Sequence, residues 1–201
     1  MKQRVASLVQ LRSNIAQHLI YVPGLGDGYT PVRRFALRFW REKGMHVSLL
    51  PMRWADRHET YEQKIARLHA LIDTRPDDKL VLVGESAGGA VVLAALRSLG
   101  PRVDRVVTIC GMNHGASSVG AHIYRKNSAF RAAMQATDEV TSTLTQAEKG
   151  RIKTVYSSRD LTVRPKHTLL PGVDAVDIKV PGHLHSILSV LLKHSELVVQ
   201  A

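Results

Sequence analysis

A G-x-S-x-G motif, Gly84-Glu85-Ser86-Ala87-Gly88, follows a short apolar run in the middle of the chain. A serine at a tight turn from a strand into a helix holds its hydroxyl clear of the sheet, where it can attack a carbonyl carbon. Glycine on both sides of the serine lets the strand and the helix approach each other. The same motif is also compatible with a Gly-rich turn that binds phosphate. The apolar run before it and the helical pattern after it favour Ser86 as a nucleophile.

A serine hydroxyl is a weak nucleophile unless a base removes its proton and an acid orients that base. In the expected chain order of serine, acid and histidine, Asp160 is the best-placed acid, because it lies just after an apolar run. Asp160 could instead be an ordinary turn residue, which is a common role for aspartate. Four other acidic residues lie within or beside another predicted strand or in a polar helical segment: Asp138, Glu139, Asp174 and Asp177. We therefore predict that Asp160 is the acid.

Two histidines compete for the role of general base. They lie in the segment Val180-Pro181-Gly182-His183-Leu184-His185, which follows the last predicted strand. His183 is favoured, because it comes directly after Pro-Gly at the strand end and leads into a helix. His185 remains the alternative. A zinc site at the two histidines lacks further ligands at suitable spacing, so no metal is predicted.

Backbone N–H groups must stabilise the oxyanion that forms when a carbonyl is attacked. One donor is usually the residue after the nucleophile, which is Ala87 here. The second usually comes from the loop after the first core strand, which here reads Pro23-Gly24-Leu25-Gly26. Leu25 is the candidate donor, because the flanking glycines would let this loop lie close to a substrate. On its own, the loop could equally be an ordinary Gly-rich turn.

The elements that must hold these residues alternate between strand and helix patterns. Short apolar runs bounded by Gly or Pro predict six strands, over residues 15–22, 45–52, 80–83, 103–110, 152–157 and 173–180. Helical patterns cover residues 32–43, 61–72, 86–99, 126–149 and 184–192. Apolar strands separated by amphipathic helices are typical of a parallel sheet with helices on both faces. We therefore predict a single α/β domain over residues 1–201, with a mostly parallel sheet of about six strands.

The composition excludes several classes of protein. The 201 residues are 44% hydrophobic and 22% charged, which excludes a wholly disordered, collagen-like or coiled-coil chain. No apolar run reaches the roughly 18 residues that a membrane-spanning helix needs. The single cysteine, Cys110, excludes an internal disulfide and a multi-cysteine zinc site. The first residues lack the apolar core and cleavage site of a signal peptide, so we expect a cytoplasmic protein.

The chain is strongly basic, since 28 Lys and Arg against 17 Asp and Glu give a net charge of +11. Such a protein is attracted to polyanions, although a solvated basic surface would explain the charge as well. One predicted helix carries five basic residues that could attract anionic lipid or an acidic substrate: Arg33, Arg34, Arg38, Arg41 and Lys43. Its large apolar residues, Phe35, Phe39 and Trp40, are expected to pack on the sheet. We do not expect nucleic acid as a partner, because no nucleic-acid motif is recognisable.

In order and spacing, these residues resemble the α/β-hydrolase superfamily from about His18 to the C-terminal helix. The segment Cys110-Gly111-Met112-Asn113-His114-Gly115 is similar to the Gly-x-Pro-His-x-Gly segment of small bacterial lipases and esterases, with Asn113 in place of proline. Pro23 stands where many members have histidine, and the sequence has no HGGG motif. The resemblance implies a minimal esterase whose lid, if there is one, is built from residues 111–150. Within that segment, residues 111–125 are predicted to be a loop.

We therefore predict a serine hydrolase of the carboxylesterase or lipase type that acts on an ester or thioester without a cofactor. Ser86 would form the acyl-enzyme, His183 would transfer the proton and Asp160 would orient the imidazole. A thioesterase or an acyltransferase would share the acyl-enzyme, and these residues do not separate it from an esterase. The rival class is a binding protein that has lost activity on the same fold, and we would expect its triad to be broken.

Overall fold

A computed structural model of the chain describes residues 17–41 and 46–199. The strands are β1 (Gln17–Val22), β2 (His46–Leu49), β3 (Lys79–Glu85), β4 (Val103–Ile109), β5 (Ile152–Tyr156) and β6 (Asp174–Asp177). They pair side by side, all in parallel, in the order β2-β1-β3-β4-β5-β6. The predicted parallel α/β sheet is confirmed, and only β3 extends beyond its predicted bounds. Ile15 and Met45, the predicted starts of the first two strands, lie outside the described residues.

Helices connect the strands and cover the sheet. They are α1 (Thr30–Arg41), α2 (Tyr61–Asp73), α3 (Ala87–Leu99), α4 (Ala121–Lys126), α5 (Ser128–Thr141), α6 (Gln146–Lys149), α7 (Pro165–Thr168), α8 (His183–Leu192) and α9 (Glu196–Val199). Among these helices, none combines the length and the apolar character that crossing a membrane would require. Gly44, which would cap the first predicted helix, lies outside the described residues.

The sheet has two buried faces, because alternate side chains of a strand point in opposite directions. Ile20 and Leu82 contribute to an apolar layer that α2, α3 and α5 cover. Tyr21 and Val83 contribute to the opposite layer, which α1 and α8 cover. Since both faces are covered, the central strands are apolar along most of their length, as is usual for parallel sheets.

Helix α1 packs through a different side from the one predicted. Trp40 is fully buried as expected, but Phe35 and Phe39 are 56% and 45% exposed. Their rings meet edge to face, with centroids 5.3 Å apart. The side of α1 that is buried consists of Arg33, Ala36, Leu37 and Trp40. The expectation that Phe35 and Phe39 pack on the sheet was therefore wrong, because a second side of the helix, about 100° away, faces the sheet.

The basic side of α1 also differs from the prediction. Arg33 is buried, with 4% of its surface exposed, so it cannot meet a lipid surface as predicted. Arg34, Arg38 and Arg41 are exposed. Lys43, the fifth predicted basic residue, lies outside the described residues. The basic surface of α1 therefore contains fewer cations than the sequence indicates.

The segment between β4 and β5 is more regular than predicted. The predicted loop at residues 111–125 contains most of α4, and the predicted helix at 126–149 is divided into α5 and α6. The loop prediction was wrong because Tyr124 anchors α4: it is buried, and its hydroxyl donates to the carbonyl of Ala116 at 2.6 Å. Phe130 and Met134 on α5 are buried in the same apolar layer as α3. This segment is thus packed against the sheet-covering helices.

Replacing Trp40 by alanine should lower the free energy of unfolding by about 3–5 kcal/mol, because it removes a fully buried ring. The change also removes the hydrogen bond from the indole Nε1 to the carbonyl of Leu191, 2.9 Å away. Phe35→Ala on the same helix removes an exposed ring and should cost less than about 1 kcal/mol. Urea denaturation followed by circular dichroism measures both losses, and equal losses would contradict this orientation of α1.

Candidate active site

Ser86 occupies the turn between β3 and α3. Its backbone has φ +49° and ψ −121°, a conformation that residues with a side chain rarely adopt. Hydrogen bonds hold this turn: the N–H of Ser86 donates to the carbonyl of Ile109 at 3.0 Å, and the N–H of Met112 donates to the carbonyl of Ser86 at 2.9 Å. The Ser86 side chain forms no capping bond with α3. The hydroxyl is therefore available to a partner outside the helix.

Close backbone packing surrounds this turn. A Cβ atom on Gly84 would collide with the backbone of Gly88, and a Cβ atom on Gly88 would collide with the carbonyl of Val22 on β1. On the other side of the serine, a Cβ atom on Gly24 would lie 2.6 Å from Cβ of Ser86. These three glycines allow β1, β3, α3 and the loop after β1 to meet at Ser86, as the motif predicts.

The structure brings Ser86, His183 and Asp160 together from three turns that follow strands. Nε2 of His183 lies 2.9 Å from Oγ of Ser86, and Nδ1 lies 2.6 Å from Oδ2 of Asp160. When Nδ1 carries the proton, it donates to Asp160, and Nε2 accepts a hydrogen bond from the serine hydroxyl. This arrangement allows a histidine to take a proton from a serine while a carboxylate holds the ring in place.

Asp160 is buried and hydrogen-bonded on both carboxylate oxygens. Its Oδ1 accepts from the N–H groups of Thr162 at 2.9 Å and Val163 at 3.1 Å. Burial acts to raise the pKa of Asp160, but the hydrogen bond and charge of His183, together with the backbone donors, bring this pKa below its ordinary value. Because the pKa of Asp160 is lower in the folded chain than in the unfolded chain, the ionised carboxylate stabilises the fold. This contribution to the free energy of unfolding is complete above the unfolded-state pKa of Asp160 and is lost as the pH falls through its folded-state pKa. Asp160 is thus ionised at neutral pH.

The competing candidates lie elsewhere. His185 is exposed and forms no contact with Ser86, so the structure places His183 and not its neighbour beside the serine. The carboxylate of Asp138 accepts from the N–H groups of Gly115 and Ala116 at 2.8 and 2.9 Å. Asp177 accepts from the backbone after β5, and Glu139 and Asp174 are exposed. None of these four acids contacts His183 within the part of the chain that the structure describes.

The two predicted oxyanion donors, Leu25 and Ala87, both line the cavity that contains Ser86. The loop that carries Leu25 passes directly beside the serine, as the close approach of Gly24 shows. The N–H of Gly24 donates to Oε1 of Glu85 at 3.2 Å, which ties this loop to the end of β3.

A buried polar cluster beneath the serine was not identified from the sequence. The carboxylate of Glu85 accepts hydrogen bonds from the Tyr21 hydroxyl, the N–H of Gly24 and the Arg33 guanidinium, whose Nε is 2.9 Å away. Arg33 also donates to the carbonyl of Gly26 at 2.9 Å. Burial raises the pKa of Tyr21 well above its ordinary value, and the neighbouring Glu85 carboxylate raises it further. The sequence signal for this cluster is a charged residue, Glu85, at a position where a buried strand ends.

A cavity of about 450 Å³ opens beside Ser86. This volume is within the range of small-molecule sites. Most of its walls are apolar side chains: Leu25, Ala87, Met112, Val119, Ile123, Phe130, Leu161 and Val163. The segment after Asp160 adds basic side chains: Arg164, Lys166 and His167. The cavity therefore offers the serine an apolar environment with positive charge at one segment of its wall.

Asn113 connects two segments near this cavity through hydrogen bonds. Its side-chain amide is buried and donates to Oγ1 of Thr108 at 2.9 Å and to the carbonyl of Thr168 at 2.6 Å. Its backbone N–H donates to the carbonyl of His167, also at 2.9 Å. Where the resemblance leads one to expect proline, Asn113 thus joins the end of β4 to α7.

Among the described residues, one group of potential metal ligands converges: Cys110, Asp160 and His183, whose nearest ligand atoms lie within 4.8 Å of one another. Burial raises the pKa of the Cys110 thiol far above its ordinary value, and the Asp160 carboxylate raises it further. A protonated thiol is a poor metal ligand, so this group does not fit a metal centre well. Asp160 and His183 have each other as partners instead.

Arg33→Met should lower the free energy of unfolding by about 3–5 kcal/mol, because it leaves the buried carboxylate of Glu85 without its cation. Arg34→Met is the matched control, since Arg34 is exposed on the same helix. It should change the free energy of unfolding by no more than about 0.5 kcal/mol. Urea denaturation of both variants is the measurement, and a loss below about 1 kcal/mol in Arg33→Met would contradict the role given to the pair.

Solved structures share this architecture at low sequence identity. A monoacylglycerol lipase from Paleococcus ferrophilus is similar with a TM-score of 0.62 and 11% identity, over 84% of this chain and 88% of that one. MGS-MChE2, an alpha/beta hydrolase from the metagenome of lagoon sediments at Mar Chica, Morocco, has a TM-score of 0.61 and 16% identity, over 92% and 89%. The esterase domain of a Rhodothermus marinus protein has a TM-score of 0.60 and 13% identity, over 91% and 82%.

No protein-family model and no curated protein matches the sequence. The likeness lies in the parallel sheet and its covering helices, since the identities to the three solved structures are between 11% and 16%. The chain therefore has the α/β-hydrolase fold.

Proposed function

We propose that the chain is a serine hydrolase that cleaves a carboxylic ester or thioester through an acyl-enzyme on Ser86. The observation that carries the proposal is the line of hydrogen bonds from Oγ of Ser86 through the His183 ring to Asp160, at 2.9 and 2.6 Å. The presence of a lipase and an esterase domain among structures of the same fold supports ester hydrolysis. A protein that only binds a ligand would not require this line of contacts.

The proposed reaction begins with attack of Oγ of Ser86 on the carbonyl carbon, while Nε2 of His183 takes the hydroxyl proton. The backbone N–H groups of Leu25 and Ala87 stabilise the negative charge on the carbonyl oxygen. The imidazolium, whose charge Asp160 balances, donates its proton to the leaving alcohol or thiol as the carbon–oxygen or carbon–sulfur bond breaks. Water then attacks the acyl carbon while His183 takes its proton, and the imidazolium returns that proton to Oγ of Ser86 as the bond between Oγ and the acyl carbon breaks and the acid is released.

A thioesterase and an acyltransferase would use the same acyl-enzyme. A thioesterase differs in the leaving group, and an acyltransferase differs in the acceptor that attacks in the second step. We propose water as that acceptor, because the solved structures that share the fold are named as hydrolytic enzymes. We propose no metal or cofactor, since every step above uses side chains and backbone groups of this chain.

Ser86→Ala and His183→Ala should each lower the rate of p-nitrophenyl butyrate hydrolysis by at least about 10³-fold, because each removes a group that acts in bond formation. Labelling by a fluorophosphonate probe should disappear in both variants and persist in the wild type. The two measurements together test for an activated serine and for the base that activates it.

His185→Ala is the control, since this exposed histidine lies two residues from the proposed base. It should retain labelling and more than about half of the activity. Loss of labelling in His185→Ala, with labelling kept in His183→Ala, would show that His185 is the base and that the proposed role of His183 is wrong. No labelling and no hydrolysis by the folded wild type would favour the binding-protein alternative.

We also propose that the exposed side of α1 attracts anionic lipid. Phe35 and Phe39 form an exposed aromatic pair, and the exposed Arg34 and Arg38 lie beside them on the same helix. Aromatic rings and arginines on one helix face suit the interface of an anionic membrane. We propose the cytoplasm as the location, where the inner leaflet would supply such a surface.

Arg34→Gln/Arg38→Gln should weaken binding to phosphatidylglycerol-containing vesicles by about tenfold or more, since each removed charge near the surface contributes about 1 kcal/mol. Arg57→Gln/Arg125→Gln removes the same charge from other exposed positions and should have a much smaller effect. Vesicle co-sedimentation measures both. Equal binding of the wild type to neutral and anionic vesicles, or equal losses in the two double variants, would show that α1 is not a lipid-binding surface.

A further inference from the structure

The cavity beside Ser86 carries a concentrated positive charge. Arg164 and Lys166 supply this charge, and both line the same cavity as the serine, together with the ring of His167 next to them. We propose that the substrate of this site carries an anionic group, a carboxylate or a phosphate, which Arg164 and Lys166 bind. This inference rests on the proposed acyl transfer at Ser86 and specifies which acyl compounds the site takes.

The charges in this wall are not neutralised by protein groups. No acidic side chain lines the cavity among the residues that the structure describes. Within those residues, the side chains of Arg164 and Lys166 take part in no ion pair or hydrogen bond, whereas Arg33 and Arg67 are paired with carboxylates. Unpaired cations beside apolar walls concentrate positive potential in a cleft, because the low dielectric of the walls focuses the field. The cavity thus has charge that a substrate anion can neutralise.

Hydrogen bonds hold the backbone at both ends of the segment that carries Arg164 and Lys166, and they therefore fix the positions of the Cα atoms from which these side chains extend. The N–H of Val163 donates to the buried carboxylate of Asp160. The carbonyls of His167 and Thr168 accept from the backbone and side chain of Asn113, at 2.9 and 2.6 Å. The segment that carries the charges is therefore positioned by the same acid that positions His183. An anion bound there would lie at a set position relative to the reactive serine.

His167 supports this view of the local potential. Burial lowers the pKa of His167 below its ordinary value, and the neighbouring positive charges of Lys166 and Arg164 lower it further. Its ring is therefore neutral near pH 7, so it can donate a hydrogen bond to an anion without adding charge. Arg164 and Lys166 then supply the charge itself.

The apolar walls and the volume of the cavity limit the size and polarity of the rest of the substrate. Its apolar lining includes Met112, Ile123 and Phe130, and its volume is about 450 Å³. A ligand that fits this space is a small molecule with an apolar part as well as a charge. The structure thus indicates a small acyl compound that has an apolar chain and an anionic group.

The test compares substrates with and without an anionic group. p-Nitrophenyl hydrogen adipate differs from p-nitrophenyl hexanoate by a carboxylate at the end of the acyl chain. Hexanoyl-coenzyme A has the same acyl chain as S-hexanoyl-N-acetylcysteamine, and its leaving group adds the phosphates together with the pantoyl and adenosine parts of coenzyme A. In at least one pair, we expect kcat/KM of the wild type to be at least about tenfold higher for the anionic member, because hydrogen bonds to charged groups contribute about 1.5–3 kcal/mol. The pair that shows the preference identifies the anion as a carboxylate or a phosphate.

Arg164→Gln/Lys166→Gln should abolish that preference, because kcat/KM should fall by at least about fivefold more for the anionic member than for the neutral member. Both residues are exposed, so thermal unfolding should be unchanged and confirms that the variant is folded. Arg57→Gln/Lys193→Gln removes two exposed charges away from the cavity and should keep the preference. Added sodium chloride should reduce the preference in the wild type, since salt screens charge attraction.

The outcomes separate this inference from the proposed function. Hydrolysis of the neutral substrates with no preference in either pair would overturn the anionic substrate and leave the serine hydrolase intact. A preference that survives in Arg164→Gln/Lys166→Gln, or that falls equally in the control variant, would also overturn it. No hydrolysis of any of the four substrates would overturn the proposed function and this inference with it.

Discussion

The carboxylate of Glu85 holds together the pieces of backbone that surround Ser86. It belongs to the residue directly before Ser86 and accepts hydrogen bonds from β1, from the loop after β1 and from α1. A buried charge of this kind is stable only when it is paired and hydrogen-bonded, and Arg33 supplies the pairing charge. Because Arg33 must face the sheet to reach it, α1 is rotated so that Phe35 and Phe39 face outward. The loop that carries Leu25 and the exposed aromatic pair therefore depend on the same ion pair.

Around this cluster, the site is built from contacts that leave little freedom. The turn at Ser86 has an unfavourable backbone conformation, which persists because the end of β4 and the segment after it hydrogen-bond to its N–H and carbonyl groups. His183 and Asp160 reach the serine because the carboxyl ends of parallel strands meet at one edge of the sheet. Each of the three residues follows a different strand, and none is held by a long mobile loop. A site supported in this way keeps its geometry without help from a ligand.

Much of this arrangement could be predicted from the sequence, and the exceptions share a physical cause. Ser86, Asp160 and His183 stand out as candidates because each is a polar residue shortly after an apolar run in the expected chain order. The sequence favours His183 but leaves His185 open, and the contact with Ser86 distinguishes the two. The packing of α1 could not be predicted in this way, since it depends on a carboxylate that lies 52 positions from Arg33 in the chain. The same holds for α4, whose anchor at Tyr124 is a tertiary contact. Patterns within a segment show which faces are apolar, whereas buried polar partners decide which face turns inward.

The all-parallel sheet also places the serine and its histidine partner far apart along the chain. Parallel strands pair only across long connections, so most stabilising contacts join residues that are distant in the chain, and such topologies fold slowly. Ser86 belongs to the third strand–helix unit, whereas His183 begins a helix that follows the sixth strand. The two residues that meet are thus 97 positions apart in the chain. A nascent or truncated chain that ends before α8 consequently lacks the histidine that lies beside Ser86. Under the proposed mechanism, labelling of that serine therefore reports that the chain has folded through its last strand.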